Sequence, residues 1–430
     1  MGGILTSRRR AAALVVAAAV LPRLAVLAYE RGDILSSFTE KSDDFARVLA
    51  SSGTYGFVPG IPSAYTQPLY GWFLAALYWA LARHWLVVGL AQIAVAACTA
   101  LVVLWIGRRY LSPRAGLIAA LVATLHPYLI WHDVHVNREI LDQLLGAAAF
   151  GLTLLLVEKR RWWLGAALGV VLGLALLGNT RLTALPLFLA VYLLWNRAGV
   201  VPVVVTLLLC VVTVAPWVVR NKVQVGCFTI TTDARALWKA NNVNTYDTLA
   251  RGGWIDDVPP LPGAPRLTPE FTRDIYRQTG RKIRLDECAQ MRLYTRATRT
   301  FWREHPGEKL KLMQQATRML WDPRPIRTET GPEAGGNARL RTWVEALYAI
   351  PLFVLAALGL WAVPRRFLAL ALVFLVYQTL AAMLFAGATR YRVPWDFVLA
   401  LLAAAAIDRL LTRREHGAVQ PVDPVGAAVE

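Results

Sequence analysis

The chain has 430 residues, of which 56% are hydrophobic and 17% are charged, and its formal net charge at pH 7 is +18. So much apolar surface exceeds what a soluble domain can bury, and many apolar runs approach the roughly 20 residues that cross a bilayer. Composition therefore excludes a soluble enzyme and predicts an all-α polytopic membrane protein. Lys and Arg cluster at the ends of apolar runs and in one long polar stretch, which favours topology signals and a surface for anionic lipid or phosphate over nucleic-acid binding.

The N-terminal segment, residues 1–29, has three arginines, Arg8 to Arg10, ahead of an apolar run. A cleaved signal peptide and a first transmembrane helix share this pattern. We favour the helix, because Pro22 and Arg23 interrupt the run and a cleaved leader has no need of them. The arginines place the N-terminus in the cytoplasm, so that the following loop, residues 30–66, is predicted to face outside.

This loop contains two adjacent acids, Asp43 and Asp44, in the stretch SDDFARVLA. Adjacent carboxylates beside a membrane repel one another, which favours one that accepts a proton while a cation or donor orients the other. A general base needs that arrangement. The alternative is that both acids stabilise the start of a short helix by interacting with its free N–H groups and dipole. The two roles are compatible.

The next apolar segment, residues 68–83, is short for a span and rich in Trp and Tyr. If it crossed the membrane, every later loop would be inverted and the basic turns would lie outside, against the positive-inside rule. We therefore predict an interface helix over residues 68–83 and a second span over residues 84–107. Its aromatic side chains either stack on a sugar or anchor the helix, and anchoring is the simpler interpretation.

Eight further spans complete a ten-span prediction in which charge bias and parity agree. Residues 1–218 then form a seven-span module, residues 219–341 an external loop, residues 342–411 three C-terminal spans, and residues 412–430 a disordered cytoplasmic tail. The later spans are predicted near 114–131, 139–157, 161–178, 181–196, 199–218, 342–362, 366–386 and 391–411. Within the polar loop, Pro and Gly turns separate predicted helices near 269–279, 286–304 and 307–320.

The four cysteines show no CxxC or Cys/His spacing, which disfavours metal fingers and redox dithiols. Cys98 and Cys210 lie in apolar runs. Cys227 and Cys288 lie in the predicted external loop, where an oxidising compartment permits disulfides. We therefore predict that these two form a disulfide.

Basic residues recur at the predicted external ends of spans, where charges that face a bundle interior are candidates for function. Arginine presents a planar fork suited to phosphate oxygens. We predict a basic ring around the acidic pair, although each arginine can instead serve as an interface anchor, an interpretation that is stronger for Arg181. The ring consists of Arg138, Arg181, Arg220, Arg390 and Arg392.

A second polar turn, HDVHVNREILDQ, contains His132, Asp133, His135 and Glu139. These side chains could chelate a divalent metal, but they lack a fixed ligand spacing, so a hydrated turn is the favoured interpretation and no metal or other cofactor is predicted. The dipeptide His126-Pro127 is expected to end or kink the third span.

Several motifs, taken in order, resemble the GT-C membrane glycosyltransferases, specifically the bacterial branch related to protein O-mannosyltransferases and aminoarabinose transferases. The motifs are SDDFARVLA, SAYTQPLYGWFLA, NREILDQLL, NTRLTALPL, APWVVRNKVQVGCFTI, LWKANN, FWREHPGEKLKLM and RYRVPWDFVL. The resemblance implies transfer of a sugar from a polyprenyl-phosphate donor to an acceptor on the outer face of a bacterial inner membrane, without a nucleotide-sugar site.

The resemblance also implies roles for particular residues. It maps the catalytic base onto Asp43 with Asp44 beside it, and a donor-phosphate contact onto Arg138. We add Arg220, Arg390 and Arg392 as further phosphate contacts. Candidate substrate-binding residues are Tyr65, Tyr70, Glu139 and Asn242. Two departures put donor contacts in question: Gln67 replaces a basic or Pro residue, and QQATRMLW lacks a Lys often found in that helix.

Two other classes of function remain open. A transporter or lipid flippase would also carry intramembrane charge, but hydropathy shows no inverted repeat, and a large helical loop is unexplained by transport. A non-catalytic relative that only binds the lipid carrier is the second alternative. The sequence does not name the sugar or the acceptor.

Overall fold

A computed structural model describes residues 7–36, 41–324 and 338–417 of the chain. These residues form an all-helical architecture, and the predicted all-α membrane fold is confirmed. The predicted disorder from residue 412 is wrong for residues 412–417, which continue the last helix because the pattern DRLLTRREHG contains good helix formers. The rest of that predicted tail, residues 418–430, lies outside the described residues.

The first half of the chain contains α1 to α10. They are α1 Arg8–Glu30, α2 Lys41–Ser52, α3 Pro68–Leu81, α4 Trp85–Tyr110, α5 Pro113–Thr124, α6 Pro127–His132, α7 Glu139–Lys159, α8 Trp162–Gly178, α9 Leu185–Trp195 and α10 Val200–Gln224.

The second half begins with the long polar segment and ends with the C-terminal helices. They are α11 Ala234–Lys239, α12 Thr245–Ala250, α13 Pro269–Thr279, α14 Glu287–Glu304, α15 Pro306–Trp321, α16 Ala338–Gly359, α17 Arg365–Leu384, α18 Thr389–Arg392 and α19 Asp396–Gly417.

Six helical stretches in the described part of the chain are long and apolar enough to cross a membrane. They lie where six of the ten spans are predicted: Arg8–Leu35, Trp85–Tyr110, Glu139–Lys159, Val200–Gln224, Leu340–Gly359 and Arg365–Leu384. The helices at three other predicted spans are apolar but shorter, and the last predicted span falls on α19. The chain is therefore a polytopic membrane protein, and the count of ten spans stays a prediction.

Basic turns meet at one end of the bundle, which we call the basic end. Arg109 pairs with Glu158 at 2.7 Å and thereby joins the α4–α5 turn to the α7–α8 turn. Ser112 donates to Asp408 of α19 at 2.7 Å. The long polar segment lies at the opposite end, which we call the polar end.

Helix α3 begins and ends at the polar end. At its start, Gln67 donates to Thr180, which follows α8, at 3.2 Å. Just beyond its end, Arg83 donates to the Leu35 carbonyl, just after α1, at 3.0 Å. The helix thus lies across the bundle end and holds α2 against it.

The core of the bundle is built around Phe150 of α7. Its ring lies 5.3 Å from Phe367 and 5.1 Å from Phe374 of α17, and 6.0 Å from Phe397 of α19, each close to edge-to-face. Aromatic pairs in this geometry contribute roughly 0.5–1.5 kcal/mol each beyond their buried area. They join the C-terminal helices to the N-terminal module.

Helices α8 and α10 approach closely along a row of glycines. Gly165, Gly169 and Gly173 are spaced by four residues and share one face of α8, and a Cβ on any of them would collide with α10 around Thr206 or Thr213. Small residues at this spacing let two membrane helices pack backbone to backbone. This contact fixes the polar end of α8, just ahead of Thr180.

The third predicted span is broken where His126-Pro127 predicts a break. Helix α5 ends at Thr124 and α6 begins at Pro127, because proline lacks the N–H that would continue the helix. The prediction is confirmed, and the break directs the chain into the turn that precedes α7.

The polar segment contains the three predicted helices within two residues of their predicted ends, as α13, α14 and α15. Local signals set these boundaries, since Thr268 and Asp286 cap α13 and α14, and proline opens α13 and α15. The predicted disulfide between Cys227 and Cys288 is confirmed, and it ties α14 to the end of α10.

Candidate active site

Three arginines from separate parts of the chain meet at the polar end around Glu139, and we call them the arginine cluster. Arg390 of α18 donates to Glu139 Oε1 from Nη2 at 2.7 Å and from Nε at 3.0 Å. Arg138 Nε lies 3.8 Å from the same oxygen. The Arg181 guanidinium lies over the Tyr391 ring, 3.8 Å from its centroid. The cluster thus joins the starts of α7 and α9 to α18.

A chain of amides and hydroxyls positions Arg138. Its Nη1 donates to Gln67 Oε1 at 3.0 Å. The preceding backbone N–H, that of Asn137, donates to the Tyr70 hydroxyl at 2.8 Å, and that hydroxyl donates to Gln92 at 2.6 Å. The start of α7 is therefore held against α3 and α4.

A polar turn at the end of α8 positions Arg181. The Asn179 side chain accepts from the Arg181 N–H at 3.1 Å and donates to Asp142 of α7 at 2.8 Å. Arg181 Nη2 donates to the Ala386 carbonyl at 3.1 Å. In the described part of the chain, Arg181 Nη1 and Glu139 Oε2 are buried without a hydrogen-bond partner. Orphaned buried polar atoms are rare in folded proteins and indicate a place that a ligand or water completes.

An apolar cavity of about 350 Å³ lies beside the cluster. Its wall is formed by α1, α6 and α16, with Val26, Pro127, Tyr128, Ile130, Trp131, His132, Leu340, Arg341, Val344 and Glu345. Burial, the neighbouring His135 and the charges of Arg390 and Arg341 hold the pKa of His132 well below its ordinary value. His132 thus lines the cavity and lies close enough to Arg390 of the cluster for that charge to act on it.

The first predicted acid, Asp43, is buried in the first turn of α2 and forms contacts on both carboxylate oxygens. Its Oδ1 accepts from the Tyr78 hydroxyl at 2.5 Å and from Arg83 Nε at 3.0 Å, and its Oδ2 accepts from Arg83 Nη2 at 2.9 Å. The hydrogen bond from Arg83 to this carboxylate raises the pKa of the guanidinium. Asp43 thus fastens α2 to the end of α3.

The second acid, Asp44, faces the polar segment instead. It accepts from Arg273 Nη1 at 2.6 Å and from Arg277 Nη2 at 2.8 Å, both on α13. Both acids lie in the first turn of α2, where carboxylates also interact favourably with the helix dipole. The adjacent acids therefore point to different partners, each of them cationic.

The predicted ring around the acidic pair is not assembled. Gln67, which contacts Arg138, and Tyr78, which contacts Asp43, are eleven residues apart on α3, about 16 Å along a helix. The pair and the arginine cluster therefore lie against opposite ends of α3.

Two arginines of the predicted ring lie elsewhere. Arg220 donates to the carbonyls of Ser63 and Tyr55 and fastens that loop to α10. Arg392 is buried and donates to Asp396 at 3.2 Å and to the Asp322 carbonyl at 2.8 Å. Residues two apart on a helix point about 200° apart, so Arg392 cannot share the face of Arg390. The ring is corrected to Arg138, Arg181 and Arg390.

The predicted substrate-binding residues divide in the same way. Glu139 lies in the cluster and Tyr70 supports it. The Tyr65 hydroxyl lies 3.4 Å from Glu270 in the polar segment, with the Lys41 amine 4.7 Å from its ring centroid. Asn242 is buried and forms hydrogen bonds within its own turn.

The polar turn does not gather the proposed metal ligands. Asp133 accepts from Arg23 of α1 at 2.7 Å in a fully buried ion pair, and His135 Nδ1 lies 2.8 Å from the Trp131 carbonyl. Glu139 binds Arg390. Within the described ranges, no three His, Cys, Asp or Glu side chains form a group suited to a metal.

Sequence interpretation missed the cationic partners of the acids and the role of Gln67. Arg273 and Arg277 are more than 200 residues from Asp44, and no local pattern indicates such a pairing. Arg83 was detectable, because it is a lone basic residue at the end of the helix that follows the acidic loop. Gln67 departs from the family pattern, and here it holds Arg138.

Comparison with known proteins gives one family and a set of solved structures. Residues 64–219 match the family model described as dolichyl-phosphate-mannose-protein mannosyltransferase. No curated protein matches the sequence.

Two solved structures that match the chain are those of ArnT from Cupriavidus metallidurans. The form bound to undecaprenyl phosphate has 17% identity, a TM-score of 0.45, and coverage of 94% of this chain and 79% of that one. The apo form has 17% identity, a TM-score of 0.37, and coverage of 86% and 72%.

The matched family region contains α3 to α9, and with them Arg138, Glu139 and Arg181. Two of the motifs that carry the resemblance, NREILDQLL and NTRLTALPL, lie completely within the matched region. The match therefore bears out the resemblance to GT-C membrane glycosyltransferases over residues 64–219.

Proposed function

We propose that the protein transfers a sugar from a polyprenyl-phosphate donor to a hydroxyl or amine acceptor outside the cytoplasm. The observation that carries this proposal is the arginine cluster beside an apolar cavity of about 350 Å³. A prenyl-phosphate sugar has an anionic phosphate and an apolar tail. The arginine cluster suits the phosphate, and the apolar cavity suits the tail. A nucleotide-sugar donor would not need the apolar cavity.

The cluster would stabilise charge on the departing phosphate. Arg138, Arg181 and Arg390 supply guanidinium forks, and Arg181 Nη1 is buried with no partner in the described chain. Donors that are held in place before the reaction stabilise developing charge strongly in a site that excludes water. A phosphate oxygen at Arg181 would complete that donor.

We assign the general base to Asp43, and this assignment requires α2 and the arginine cluster, which lie against opposite ends of α3 in this structure, to approach one another when donor and acceptor bind. The acceptor oxygen or nitrogen attacks the anomeric carbon, its proton passes to a carboxylate oxygen, and the bond from that carbon to the phosphate oxygen breaks. One displacement of this kind inverts the anomeric centre. Arg83 orients the carboxylate, and among the described residues Oδ2 accepts a single hydrogen bond, from Arg83 Nη2.

Glu139 is the rival base, because its Oε2 is buried, lacks a hydrogen-bond partner in the described residues and lies within the cluster. Asp43→Asn and Glu139→Gln separate the two. Loss of the chemical step with unchanged donor affinity identifies the base. Loss of donor affinity identifies a residue that only shapes the phosphate site.

The extracytoplasmic placement rests on two features. The disulfide between Cys227 and Cys288 lies at the polar end, and disulfides persist in oxidising compartments. Basic turns lie at the other end. In a variant without native cysteines, a thiol at Arg83 or His84 should react with an impermeant reagent from outside, and a thiol at Ser112 should not. Labelling of Ser112 from outside would reverse the placement.

The function itself is tested by mass spectrometry of cell-envelope glycans and lipids. A strain that lacks the gene should lose one sugar modification and accumulate its polyprenyl-phosphate-linked donor. Wild type should restore the modification, and Arg390→Gln should not. An unchanged set of glycans with a redistributed lipid would instead support a flippase.

A further inference from the structure

Four arginines form an exposed row on α14, which we call the arginine stripe: Arg292, Arg296, Arg299 and Arg303. Their spacings of four, three and four residues place them within one narrow face of the helix. The row is eleven residues long, about 16 Å, with a positive charge roughly every 5–6 Å. Positive charges at this spacing can pair with the negative charges of a linear polyanion.

The opposite face of α14 holds the helix in place. Tyr294 packs against Trp238 of α11 with ring centroids 5.9 Å apart, and Phe301 is buried on the same side. The arginine stripe therefore faces away from α11 and from the bundle.

Both ends of α14 are fixed to the membrane helices. At its start, Cys288 forms the disulfide with Cys227. At its end, Trp302 Nε1 donates to Asn241 at 2.9 Å, and Asn241 Nδ2 donates to the Leu384 carbonyl at the end of α17 at 3.1 Å. The stripe is thus presented by a rigid helix laid across the polar end.

The stripe lacks counter-charges. Within residues 7–36, 41–324 and 338–417, none of its guanidinium groups forms an ion pair or a hydrogen bond to a carboxylate. By contrast, Arg273 and Arg277 on α13 both bind Asp44. The four positive charges of the stripe repel one another, and binding of an extended polyanion would relieve that repulsion.

We propose that the arginine stripe binds the anionic part of the acceptor, a glycan that carries carboxylate or phosphate groups at intervals of about one sugar residue. This inference rests on the proposed transfer reaction and names its acceptor class. Anionic lipid headgroups are the less favoured source of the charges, because the stripe faces away from the bundle that occupies the membrane.

The test uses the full chain in nanodiscs of phosphatidylcholine. Oligogalacturonate is the anionic probe and a maltooligosaccharide of equal length is the neutral one. The variant Arg292→Gln/Arg296→Gln/Arg299→Gln/Arg303→Gln should bind oligogalacturonate about tenfold more weakly than wild type, since each exposed ion pair contributes a fraction of a kcal/mol. Wild-type affinity should fall as ionic strength rises, and the variant should show less of this dependence.

A matched pair of double variants separates the stripe from net charge. Arg296→Gln/Arg299→Gln should weaken binding of oligogalacturonate, whereas Arg281→Gln/Lys282→Gln, which removes two exposed charges from the preceding loop, should not. All variants should keep the wild-type Tm and the wild-type affinity for polyprenyl phosphate. If wild type itself fails to bind polyprenyl phosphate, the proposed function fails, whatever the stripe binds.

Three results would overturn the acceptor assignment. The quadruple variant could bind oligogalacturonate as well as wild type does. Wild type could bind the maltooligosaccharide equally well. Or the quadruple variant could lose affinity for phosphatidylglycerol vesicles while keeping its affinity for oligogalacturonate, which would make the stripe a lipid contact.

Discussion

The acidic pair with its partners and the arginine cluster with its partners contain the same charged groups, three guanidiniums and two carboxylates. In the pair, Asp43 and Asp44 are bound by Arg83, Arg273 and Arg277, and every carboxylate oxygen accepts at least one hydrogen bond. Glu139 and Asp142 are the acids beside the arginine cluster, and there Arg181 Nη1 and Glu139 Oε2 are buried without a hydrogen-bond partner in the described chain.

The two regions therefore differ in whether their buried polar atoms are hydrogen-bonded, and not in the charges that they contain. A fully bonded network stabilises the contacts of α2 with α3 and α13, because each charge is neutralised where it lies. A network with an orphaned donor stores an unfavourable desolvation free energy that an anionic ligand can relieve. This contrast directs the donor phosphate to the cluster and leaves Asp43 as a carboxylate held in place by Arg83.

The largest effect is expected from the cluster. Arg138→Gln/Arg390→Gln should lower turnover by about 10³-fold or more, because both forks would act on the departing phosphate. A transfer assay with a polyprenyl-phosphate-linked sugar measures this. Arg266→Gln, an exposed arginine of the polar segment, is the matched control and should keep wild-type turnover. Equal losses in both variants would remove the distinction between the cluster and general surface charge.

The acidic pair should respond unequally. Asp43→Asn should lower turnover by about 10²–10⁴-fold, the usual cost of losing a general base, and Asp44→Asn should cost less. Turnover and Tm are measured together, because both acids also hold α2. Near-normal turnover by a folded Asp43→Asn protein would reassign the base to Glu139.

The disulfide between Cys227 and Cys288 should stabilise the polar segment, whose helix α13 binds Asp44. Cys227→Ser/Cys288→Ser should lower the free energy of unfolding of the polar segment by about 2–4 kcal/mol, since the bridge closes a long loop. Denaturation monitored at α13 and α14 gives this value, with Cys98→Ser as the control. If both native thiols are alkylated without reduction, the bridge is absent.

The smallest expected effect is on thermal stability and comes from Lys309, a cation whose hydrogen-bond partners are carbonyl oxygens. Burial lowers its pKa to about 8, and its amine donates to Asn241 at 2.5 Å and to the Met383 carbonyl at 2.7 Å. Between pH 8 and the ordinary pKa of 10.5 the unfolded chain binds more protons, so stability should rise with pH in that window. As the pH rises over this range, the Tm of wild type minus the Tm of Lys309→Gln should increase by about a degree or two. A constant difference in Tm would contradict the lowered pKa.

Local signals predicted much of this fold from the sequence. Proline and capping residues set the ends of α13, α14 and α15, and His126-Pro127 set the break after α5. The pairing of Cys227 with Cys288 followed from their shared loop. Each of these inferences uses neighbours in sequence or a single compartment.

The side-chain partners that could not be predicted from the sequence are those that lie far apart along the chain. The partners of Asp44 lie on α13, more than 200 residues away, and Arg390 reaches Glu139 across 251 residues. Arg390 and Arg392 share a motif, yet helical geometry sends them to different networks. Basic residues at span ends could be recognised as candidates, but their grouping depends on how α3 lies across the bundle.

The most direct test is the affinity of polyprenyl phosphate for the purified protein, measured by native mass spectrometry for wild type, Arg390→Gln and Asp43→Asn. The contrast between the two regions predicts that Arg390→Gln binds at least tenfold more weakly, as expected for loss of a charge-assisted contact, and that Asp43→Asn binds like wild type. If Asp43→Asn loses affinity while Arg390→Gln retains it, the phosphate site lies at the acidic pair and the assignment to the arginine cluster is wrong.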